Sequence, residues 1–376
     1  MRRGSRATQR ALVLRLLGAG PRTQVDMLDE CELSQPVLTR VVRGLVNDGL
    51  IHTLGKGDST GGRRPVLLGL APDSCAVLGI RLDRGQLALS VINLCGEEIL
   101  RHSVTWAGRR LDPAAVGTAA NQVRRRIPGR LPLVGVSVAA PGVVDPSSGT
   151  VSEAPDLGWG DPVPLRDRLT GELRVPVSID NDVNVMCAGE HDSGALAGSD
   201  SGAMVYVGRG IGAAIMVDGR PQPGARGAGA EVGLLPISPG KDAPRLEDVY
   251  SVPSLARRMG LRGPAARSAV RTVLRRSAEG DAAATELAAE MIDGWAYAVC
   301  VLALTADPDR IALAGALCEM SAEHLQALQA SVHARLPNPI PLRLAELGEE
   351  AVLRGAAAAA LREAVDTGLV GIGEPT

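Results

Sequence analysis

Apolar residues near the start of the chain recur at three- and four-residue spacing, which predicts three helices over residues 8–17, 23–31 and 34–48. Each of these helices begins near a residue of a type that commonly caps helices. The third helix has a single apolar stripe, formed by Leu38, Val41, Val42, Leu45 and Val46. This pattern predicts a helix that packs the stripe on the first two helices and leaves its polar face in solvent.

The start and the polar face of the third helix carry side chains that are suited to reading DNA. They are Ser34, Gln35, Thr39, Arg40 and Arg43. Polar groups near the start of such a helix can reach base edges in a major groove about 12 Å wide. The division into an apolar and a polar face therefore indicates a recognition helix.

Two short apolar runs follow, at residues 50–54 and 66–70, and are typical of paired strands. The tip between them is rich in Gly and Arg, and its Arg63 and Arg64 are expected to contact phosphates or to enter a minor groove. Three helices followed by such a hairpin indicate a winged helix-turn-helix DNA-binding domain over residues 1–70. A small helical oligomerisation or docking domain with a hairpin is the alternative.

Beyond residue 75, patterns typical of strands alternate with patterns typical of helices. The predicted strands cover residues 76–82, 87–93, 133–139, 175–179, 203–207, 211–217 and 310–314. The predicted helices lie near residues 113–127, 183–196, 282–304 and 322–336. A β-hairpin opens each half of this region, so the pattern predicts an α/β body of two related lobes. The cleft between the lobes is then the expected ligand site.

Composition and charge separate the N-terminal region from the body. The chain of 376 residues is long enough for two or three domains, and aliphatic residues must fill its cores because only 2% of it is aromatic. Residues 1–70 contain 11 Lys and Arg against 6 Asp and Glu, whereas the whole chain has a net charge of −2. A basic start on an acidic body indicates a polyanionic partner for the N-terminal region alone.

Two absences in the sequence narrow the class of protein. There is no apolar run of membrane-spanning length and no signal peptide, so we expect a cytoplasmic protein without a membrane partner. The six cysteines are scattered and form no Cys-x-x-Cys pair, which favours free thiols over disulfides or a metal site.

The most informative motifs lie in the middle of the chain. In order, they are DNDVN at 180–184, GE at 189–190, GRGIG at 208–212, DG at 218–219 and GARGAGAE at 224–231. Planar amides and carboxylates suit sugar hydroxyls, because each hydroxyl both donates and accepts a hydrogen bond. Asn181, Asp182 and Glu231 supply such groups. The alternative is that Asn181 and Asp182 form a turn or a helix cap, and that the glutamates are surface charges.

Together with residues 135–145 (GVSVAAPGVVD) and 347–351 (LGEEA), these motifs resemble the ROK family (repressor, open reading frame, kinase) of bacterial sugar regulators and sugar kinases. The N-terminal region matches its regulator branch, that of the xylose and N-acetylglucosamine repressors. The resemblance implies a winged helix-turn-helix followed by an α/β two-lobed actin/hexokinase-like (ribonuclease H-like) sugar-kinase fold. The first lobe is expected over residues 71–182, with a returning C-terminal helix at 349–367. The second lobe, with the ligand site and the dimer interface, is expected over residues 183–348.

The resemblance also implies roles for single residues. Asn181 would bind ring hydroxyls, and Asp182 would occupy the catalytic-base position of the family's kinases. Glu231 would hold hydroxyls near the anomeric end, and Glu247 aligns with a further sugar-contacting glutamate.

The chain departs from the family's kinases where those enzymes hold ATP. Residues 82–86 (LDRGQ) stand in place of Asp-x-Gly-Gly-Thr, Arg209 stands where Thr is usual, and residues 315–317 (GAL) replace a Gly-Gly turn. Phosphoryl transfer depends on such positioned groups, so these changes argue against kinase activity. Asp182 is then expected to accept hydrogen bonds from a ligand. Because a guanidinium can pair with phosphate, Arg209 leaves a phosphorylated sugar open as that ligand.

The family's zinc module is missing as well. Leu234 stands where the His after Glu231 is usual, and residues 239–246 (PGKDAPRL) replace a Cys-x-Cys-x5-Cys cluster. These side chains cannot build a zinc site, so no cofactor is expected. The replaced His normally serves both the metal and the sugar, which leaves a loss of ligand binding as an open alternative.

The sequence therefore predicts a DNA-binding transcriptional regulator of carbohydrate metabolism, with repression as the expected mode. Its operator affinity would change when a sugar or sugar derivative binds in the interlobe cleft. The expected partners are a double-stranded operator with an inverted repeat, a sugar or sugar phosphate effector, and further copies of the chain in a homodimer or tetramer. Two alternatives remain: a ligand-independent regulator controlled by a protein partner, and an ATP-dependent sugar kinase.

Overall fold

The N-terminal module combines three helices with a small antiparallel sheet. The computed structural model describes residues 5–56 and 65–370 of the chain. The elements of this module are α1 (Arg6–Gly18), β1 (Arg22–Thr23), α2 (Gln24–Glu30), α3 (Gln35–Asn47), β2 (Ile51–Lys56) and β3 (Val66–Leu70). The strand order is β1-β3-β2. The tip between β2 and β3, including Arg63 and Arg64, lies outside the described residues.

Local sequence explains where the first helices begin. The Ser5 hydroxyl accepts a hydrogen bond from the backbone N–H of Thr8 (3.2 Å) and caps α1. Thr23 and Asp26 form a reciprocal capping box at the start of α2. The predicted apolar stripe of α3 needs one correction, because Val46 is 43% exposed whereas the other four members are buried. Val46 falls on the solvent side of the last turn.

The first lobe of the body is built on a five-stranded sheet with strand order β10-β7-β4-β5-β6. Strands β4, β5 and β6 form an antiparallel meander, and β7 and β10 run parallel to β4. The elements are β4 (Ala76–Asp83), β5 (Gln86–Asn93), β6 (Glu98–Thr105), α4 (Pro113–Arg124), β7 (Leu133–Ala140), β8 (Val143–Asp145), β9 (Thr150–Ser152), α5 (Leu165–Leu173) and β10 (Val177–Asn181).

The second lobe repeats the plan with a five-stranded sheet of order β13-β12-β11-β14-β15. Its elements are α6 (Asp182–Ser193), β11 (Gly202–Val207), β12 (Ile211–Val217), β13 (Arg220–Pro221), α7 (Leu246–Tyr250), α8 (Val252–Arg258), α9 (Pro264–Arg267), α10 (Ala269–Ala278), α11 (Ala282–Ala306), β14 (Arg310–Gly315), α12 (Ala322–His333) and β15 (Leu342–Leu344). A last helix, α13 (Glu350–Asp366), returns to the first lobe.

The predicted hairpins and long helices of the body are present, and two differences have clear causes. The last strand of the first lobe is shifted from the predicted 175–179 to Val177–Asn181, because α5 runs to Leu173 and Arg174 (φ 55°) then turns the chain. Strand β6 is not predicted by the apolar pattern. It lies at the edge of its sheet, and its residues are all exposed or half-buried.

One helix among the described residues, α11, has the length and apolar composition of a membrane span. Its packing accounts for that composition, because 61% of its most apolar window is buried in the protein. Met291, Trp295 and Val299 lie fully inside the core of the second lobe. The helix is the central core helix of that lobe.

Helix α13 is packed so closely that three glycines are required around it. A Cβ atom on Gly79 of β4 would lie 2.5 Å from the backbone nitrogen of Ala357. A Cβ atom on Gly189 of α6 would lie 2.2 Å from the carbonyl oxygen of Ala351, and one on Gly355 would lie 2.1 Å from that of Val185. These glycines let the backbones of α6 and α13 meet directly.

The end of α13 also joins the N-terminal module. The Arg10 side chain of α1 is 3% exposed and forms an ion pair with Asp48, the residue that ends α3 (2.6 Å). Its guanidinium donates hydrogen bonds to the carbonyl oxygens of Gly368 (2.7 Å) and Leu369 (3.2 Å). Apolar residues of the module and of α13 share one core, including Leu14, Leu17, Leu45, Val365 and Leu369. The module and the body are therefore one packed unit.

The contact between α6 and α13 yields a first prediction. Gly355→Ala should lower the free energy of unfolding by about 1–3 kcal/mol, because the added methyl group forces two backbones apart. Urea denaturation of the whole chain measures this change. The matched control is Gly171→Ala in helix α5, where nothing lies within 4 Å of the new Cβ atom. That change should be neutral or stabilise by about 0.5–1 kcal/mol. Equal effects of the two substitutions would contradict the close contact.

Candidate functional site

The candidate site begins where strand β10 passes into helix α6. Asn181 caps this helix, and its side-chain oxygen accepts a hydrogen bond from the backbone N–H of Val183 (2.8 Å). Its amide nitrogen donates to the carbonyl oxygen of Gly142 (2.9 Å). The helix-cap role that the sequence leaves open is therefore present. One N–H and one acceptor position of the amide remain for a ligand.

Asp182 is the first residue of α6 and lines the cavity between the lobes. Burial raises the pKa of its carboxyl group to about 6, although a hydrogen bond from the Val183 backbone opposes the shift. Smaller contributions come from Asp83 and Asp156, which raise the pKa, and from Arg81, which lowers it. Near neutral pH this group is an anion held largely away from water.

Glu231 and Glu247 lie on the second-lobe side of the site. Burial raises the pKa of Glu231, and the charges of Glu247, Glu153 and Asp182 raise it further. The carboxylate of Glu247 points towards the glycine loop, since a Cβ atom on Gly210 would meet its Oε2 at 2.8 Å. The structure therefore brings Asp182, Glu231 and Glu247 within electrostatic range around Glu231.

A cavity of about 650 Å³ opens between the lobes. Of the four predicted sugar-binding residues Asp182 lines it, whereas Asn181, Glu231 and Glu247 do not. Its walls come from the β4 strand end, the start of α6, the glycine loop after β11, the turn after β14 and the segment before α13. Residues that represent these walls are Asp83, Asp182, Arg209, Gly315 and Glu349. This volume is in the range of small-molecule sites.

The first hairpin has its own polar network in this cavity. Arg81 forms ion pairs with Asp83 (2.6 Å) and with Glu349 (3.2 Å). The Gln86 side chain donates to the Ser103 hydroxyl (2.8 Å) on β6. The hairpin thus presents an Arg–carboxylate network to the cleft.

Arg209 of the glycine loop is also paired. Its Nε lies 2.5 Å from Oδ1 of Asp156, and its side chain is 57% exposed. A phosphate would have to compete with this carboxylate for the guanidinium. The suggestion of a phosphorylated ligand that rests on Arg209 is therefore weakened.

Leu234, at which the resemblance leads one to expect a histidine, is 43% exposed. No group of three or more His, Cys, Asp and Glu side chains in the described part of the chain could hold a metal ion. The segment 239–246 is described throughout, and it forms a turn that leads into α7 at Leu246.

Sequence reasoning does not find all residues of the site. Arg81, Glu153, Asp156 and Glu349 act on the cleft or on its carboxylates, but none belongs to a motif that predicts a sugar contact. Glu153 adopts φ 51°, an uncommon conformation for a residue other than glycine. The left-handed backbone conformation of Glu153 marks this position as unusual, and it can be seen only in the structure.

The predicted DNA-reading residues lie on or beside α3. Gln35, Arg40 and Arg43 are exposed, and Ser34 precedes the helix with a hydroxyl that makes no capping hydrogen bond. Thr39 differs from the other residues, because it is half-buried and its hydroxyl donates to the Gln24 side chain of α2 (3.1 Å). That bond links α2 to α3.

A family model described as "ROK family" matches residues 77–363, which is more than half of the chain. The chain belongs to the ROK family. Among curated relatives, the putative xylose repressor of Caldicellulosiruptor sp. (strain Rt8B.4) is 31% identical over 210 residues, 55% of this chain and 52% of that protein. This chain thus spans about half the length of that ROK relative.

Two further relatives mark the range of the family. The DNA-binding transcriptional dual regulator NagC of Escherichia coli (strain K12) is 23% identical over 344 residues, 86% of this chain and 84% of that protein. The glucokinase of Halalkalibacterium halodurans is 27% identical over 248 residues, 59% of this chain and 74% of that enzyme. Regulators and kinases both occur among the relatives.

Solved structures support the two-lobed fold. A ROK family transcriptional regulator, described as a homolog of the E. coli MLC protein, superposes with a TM-score of 0.83 at 22% identity. The match covers 98% of this chain and 99% of that chain. The ROK hexokinase of Thermus thermophilus gives a TM-score of 0.67 at 25% identity and covers 77% of this chain. The body therefore has the actin/hexokinase-like fold of ROK proteins.

The raised pKa of Asp182 gives a second prediction. Because this pKa is about 6 in the folded protein and 3.8 is the ordinary value for an aspartate, the wild type loses stability as pH rises from about 4 to 6. Above about pH 7 the loss is complete and constant. Asp182→Asn should therefore stabilise the protein by about 1–3 kcal/mol at pH 8, with little effect near pH 3.5.

Urea denaturation at several pH values measures this difference. The exposed Asp161, changed to Asn, serves as the control and should show no such pH-dependent gain. A gain from Asp182→Asn that is the same at every pH would mean that ionisation of the buried carboxyl is not its cause.

Proposed function

We propose that this ROK protein is a DNA-binding transcriptional repressor of carbohydrate genes whose operator affinity responds to a sugar or sugar derivative. The observation that carries the proposal is the surface of α3, where Gln35, Arg40 and Arg43 are exposed while Leu38 and Leu45 are buried. We interpret the N-terminal module as a winged helix-turn-helix with α3 as its recognition helix. The relatives named xylose repressor and NagC support this interpretation.

The interlobe cleft is the proposed sugar site. Sugar hydroxyls donate hydrogen bonds, and the carboxylates of Asp182, Glu231 and Glu247 are acceptors that lie close enough to repel one another. A neutral polyol would supply donors to these crowded anions and would relieve the repulsion around Glu231. Asn181 would add its free N–H while it continues to cap α6.

Helix α13 supplies the proposed route from the cleft to DNA. Gly348 and Glu349 line the cleft immediately before the helix begins. At its far end the carbonyl oxygens of Gly368 and Leu369 accept hydrogen bonds from Arg10, which is paired with Asp48 directly after α3. The helix has 17 residues and therefore spans about 25 Å. A sugar that changes the angle between the lobes would displace α13 together with α6 and so shift the recognition helix.

A kinase is the second candidate, because a glucokinase is among the relatives. The Arg81–Asp83–Glu349 network argues against it, since two carboxylates stand where a polyphosphate would have to bind. A coupled ADP-release assay with a panel of hexoses distinguishes the two functions. Turnover that disappears in Asp182→Asn would favour the kinase.

The remaining parts of the proposal concern partners. A repressor of this type would act as a homodimer or tetramer on an inverted repeat, with half-sites about 34–36 Å apart or a multiple of that distance. Contact with the operator requires a cytoplasmic location. A ligand-independent regulator controlled by a protein partner is the alternative, because Leu234 removes a side chain that would serve the sugar.

The DNA-binding part of the proposal predicts the effect of two substitutions. Arg40→Ala combined with Arg43→Ala should weaken binding to the operator at least about tenfold and reduce its salt dependence, because base or phosphate contacts are lost. Fluorescence anisotropy with a DNA fragment from immediately upstream of the protein's own gene measures this at fixed salt. Arg262→Ala, on an exposed loop of the body, is the control. Unchanged affinity in the double variant would exclude α3 as the recognition helix.

The sugar-binding part predicts a separate effect at Glu231. Glu231→Gln should abolish the change in operator affinity that a sugar produces, while affinity without sugar stays the same. The assay uses xylose, glucose, N-acetylglucosamine and their phosphates. Glu231 suits this test better than Asn181, whose removal would also uncap α6 and destabilise it by about 1 kcal/mol.

The control for this experiment is Glu323→Gln, an exposed glutamate on α12. If no sugar shifts the affinity of the wild type while DNA binding is tight, the ligand-independent alternative is favoured. If Glu231→Gln no longer binds DNA in the absence of sugar, the proposal that the cleft binds the sugar while the N-terminal module alone binds the operator is wrong.

A further inference from the structure

A second cavity, of about 450 Å³, lies on the other side of α13 from the interlobe cleft and shares no residue with it. We name it the β6–α13 cavity. It is bounded by strands β5 and β6, the last turn of α6 and one flank of α13. Its charged lining residues are Glu98, Arg101, Asp192, Arg354 and Arg362.

Four of these five charges are already paired with each other or with neighbours. Arg101 forms ion pairs with Glu98 and with Glu350, both at 2.9 Å. Arg362 donates two hydrogen bonds to the Asp192 carboxylate, at 3.0 and 2.8 Å. The buried Ser90 hydroxyl donates to Glu98 at 2.7 Å. Both carboxylates of the cavity are therefore neutralised.

Arg354 is different. Within the described residues it forms no ion pair and no hydrogen bond, although its charge contributes to lowering the pKa of Glu98. The other two arginines of the cavity are matched by Glu98, Glu350 and Asp192, whereas the exposed Arg354 guanidinium has no carboxylate partner at ion-pair distance in the described part of the chain. Because α13 rises about 1.5 Å per residue, Arg354 and Arg362 lie about 12 Å apart along the same helix flank.

The rest of the lining is apolar or small. Ile92, Ala357, Ala358 and Leu361 provide carbon surface beside the unpaired guanidinium, and Ser193 adds a hydroxyl at the end of α6. Such a cavity fits a small amphiphilic molecule with one anionic group. A guanidinium binds phosphate and carboxylate through paired N–H donors, so both anions share the required chemistry.

We propose that the β6–α13 cavity is a second effector site, which binds a small phosphorylated or carboxylated metabolite through Arg354. The anion pairs with the Arg354 guanidinium, and the carbon frame lies on Ile92 and Ala357. The cavity lies outside the sugar site, so its occupation does not depend on the function proposed for the cleft. Five of its lining residues belong to α13, the helix that ends against the N-terminal module.

Isothermal titration calorimetry with the whole chain tests this site. Three probes with the same three-carbon frame separate the possible chemistries: glycerol, glycerate and glycerol 3-phosphate. At least one of the two anions should bind with a dissociation constant in the range of about 10 μM to 1 mM, whereas glycerol should not bind. Whether glycerate or glycerol 3-phosphate binds more tightly identifies the anion.

Arg354→Ala should weaken the anion at least about tenfold, which is the loss of one charge-assisted pair. Two controls should bind as the wild type does: Arg343→Ala, an exposed arginine of β15 outside the cavity, and Arg209→Ala in the interlobe cleft. Circular dichroism verifies that each variant is folded.

Two results would overturn the proposal. One is equal anion binding by Arg354→Ala and the wild type, and the other is the absence of binding of both anions up to about 10 mM, far weaker than any specific site. Loss of anion binding in Arg209→Ala but not in Arg354→Ala would also reject it, because the anion would then occupy the cleft. The sugar response measured with Glu231→Gln is independent of all these outcomes.

Discussion

The contact on which this structure depends most is the direct approach of helix α13 to its neighbours. Gly79, Gly189 and Gly355 remove every side-chain atom from the places where its backbone meets β4 and α6. Interfaces that are packed so closely have few alternative arrangements, because a small shift creates either an overlap or a void. A change at the start of α13 is therefore more readily carried along the helix as a rigid displacement than absorbed locally.

The chemistry of the cleft follows from several carboxylates that lie close together and have little contact with water. The charges of Asp182 and Glu247 raise the pKa of Glu231, and burial makes ionisation of Asp182 and Glu231 less favourable than in water. Such a site discriminates by charge before it discriminates by shape. Neutral molecules with many hydroxyl donors are favoured, whereas a free polyphosphate meets repulsion that the paired Arg81 and Arg209 do little to offset.

Periodicity of apolar residues was sufficient to predict the long helices and the two β-hairpins, because these elements bury one continuous face. It was insufficient for β6, whose edge position leaves no residue fully buried. Within the candidate site, Asp182 and Glu231 could be proposed from their residue types and the family's motifs, and their contact with a sugar stays a prediction. The hydrogen-bond partners of Arg10 could not be predicted from the sequence, because Gly368 follows Arg10 by 358 residues and only the folded chain brings the two together. Val46 shows the limit of the helical pattern itself, since its spacing suits the core but the neighbouring elements do not cover it.

The shared core of the N-terminal module and α13 has a consequence for protein engineering. Val365 and Leu369 complete the interior of the module, and the last carbonyl groups before residue 370 accept the hydrogen bonds of Arg10. A hybrid regulator that joined this module to the body of another ROK protein at residue 70 would leave that interior open. A functional hybrid should therefore take two pieces from the same parent: the first seventy residues and the C-terminal helix.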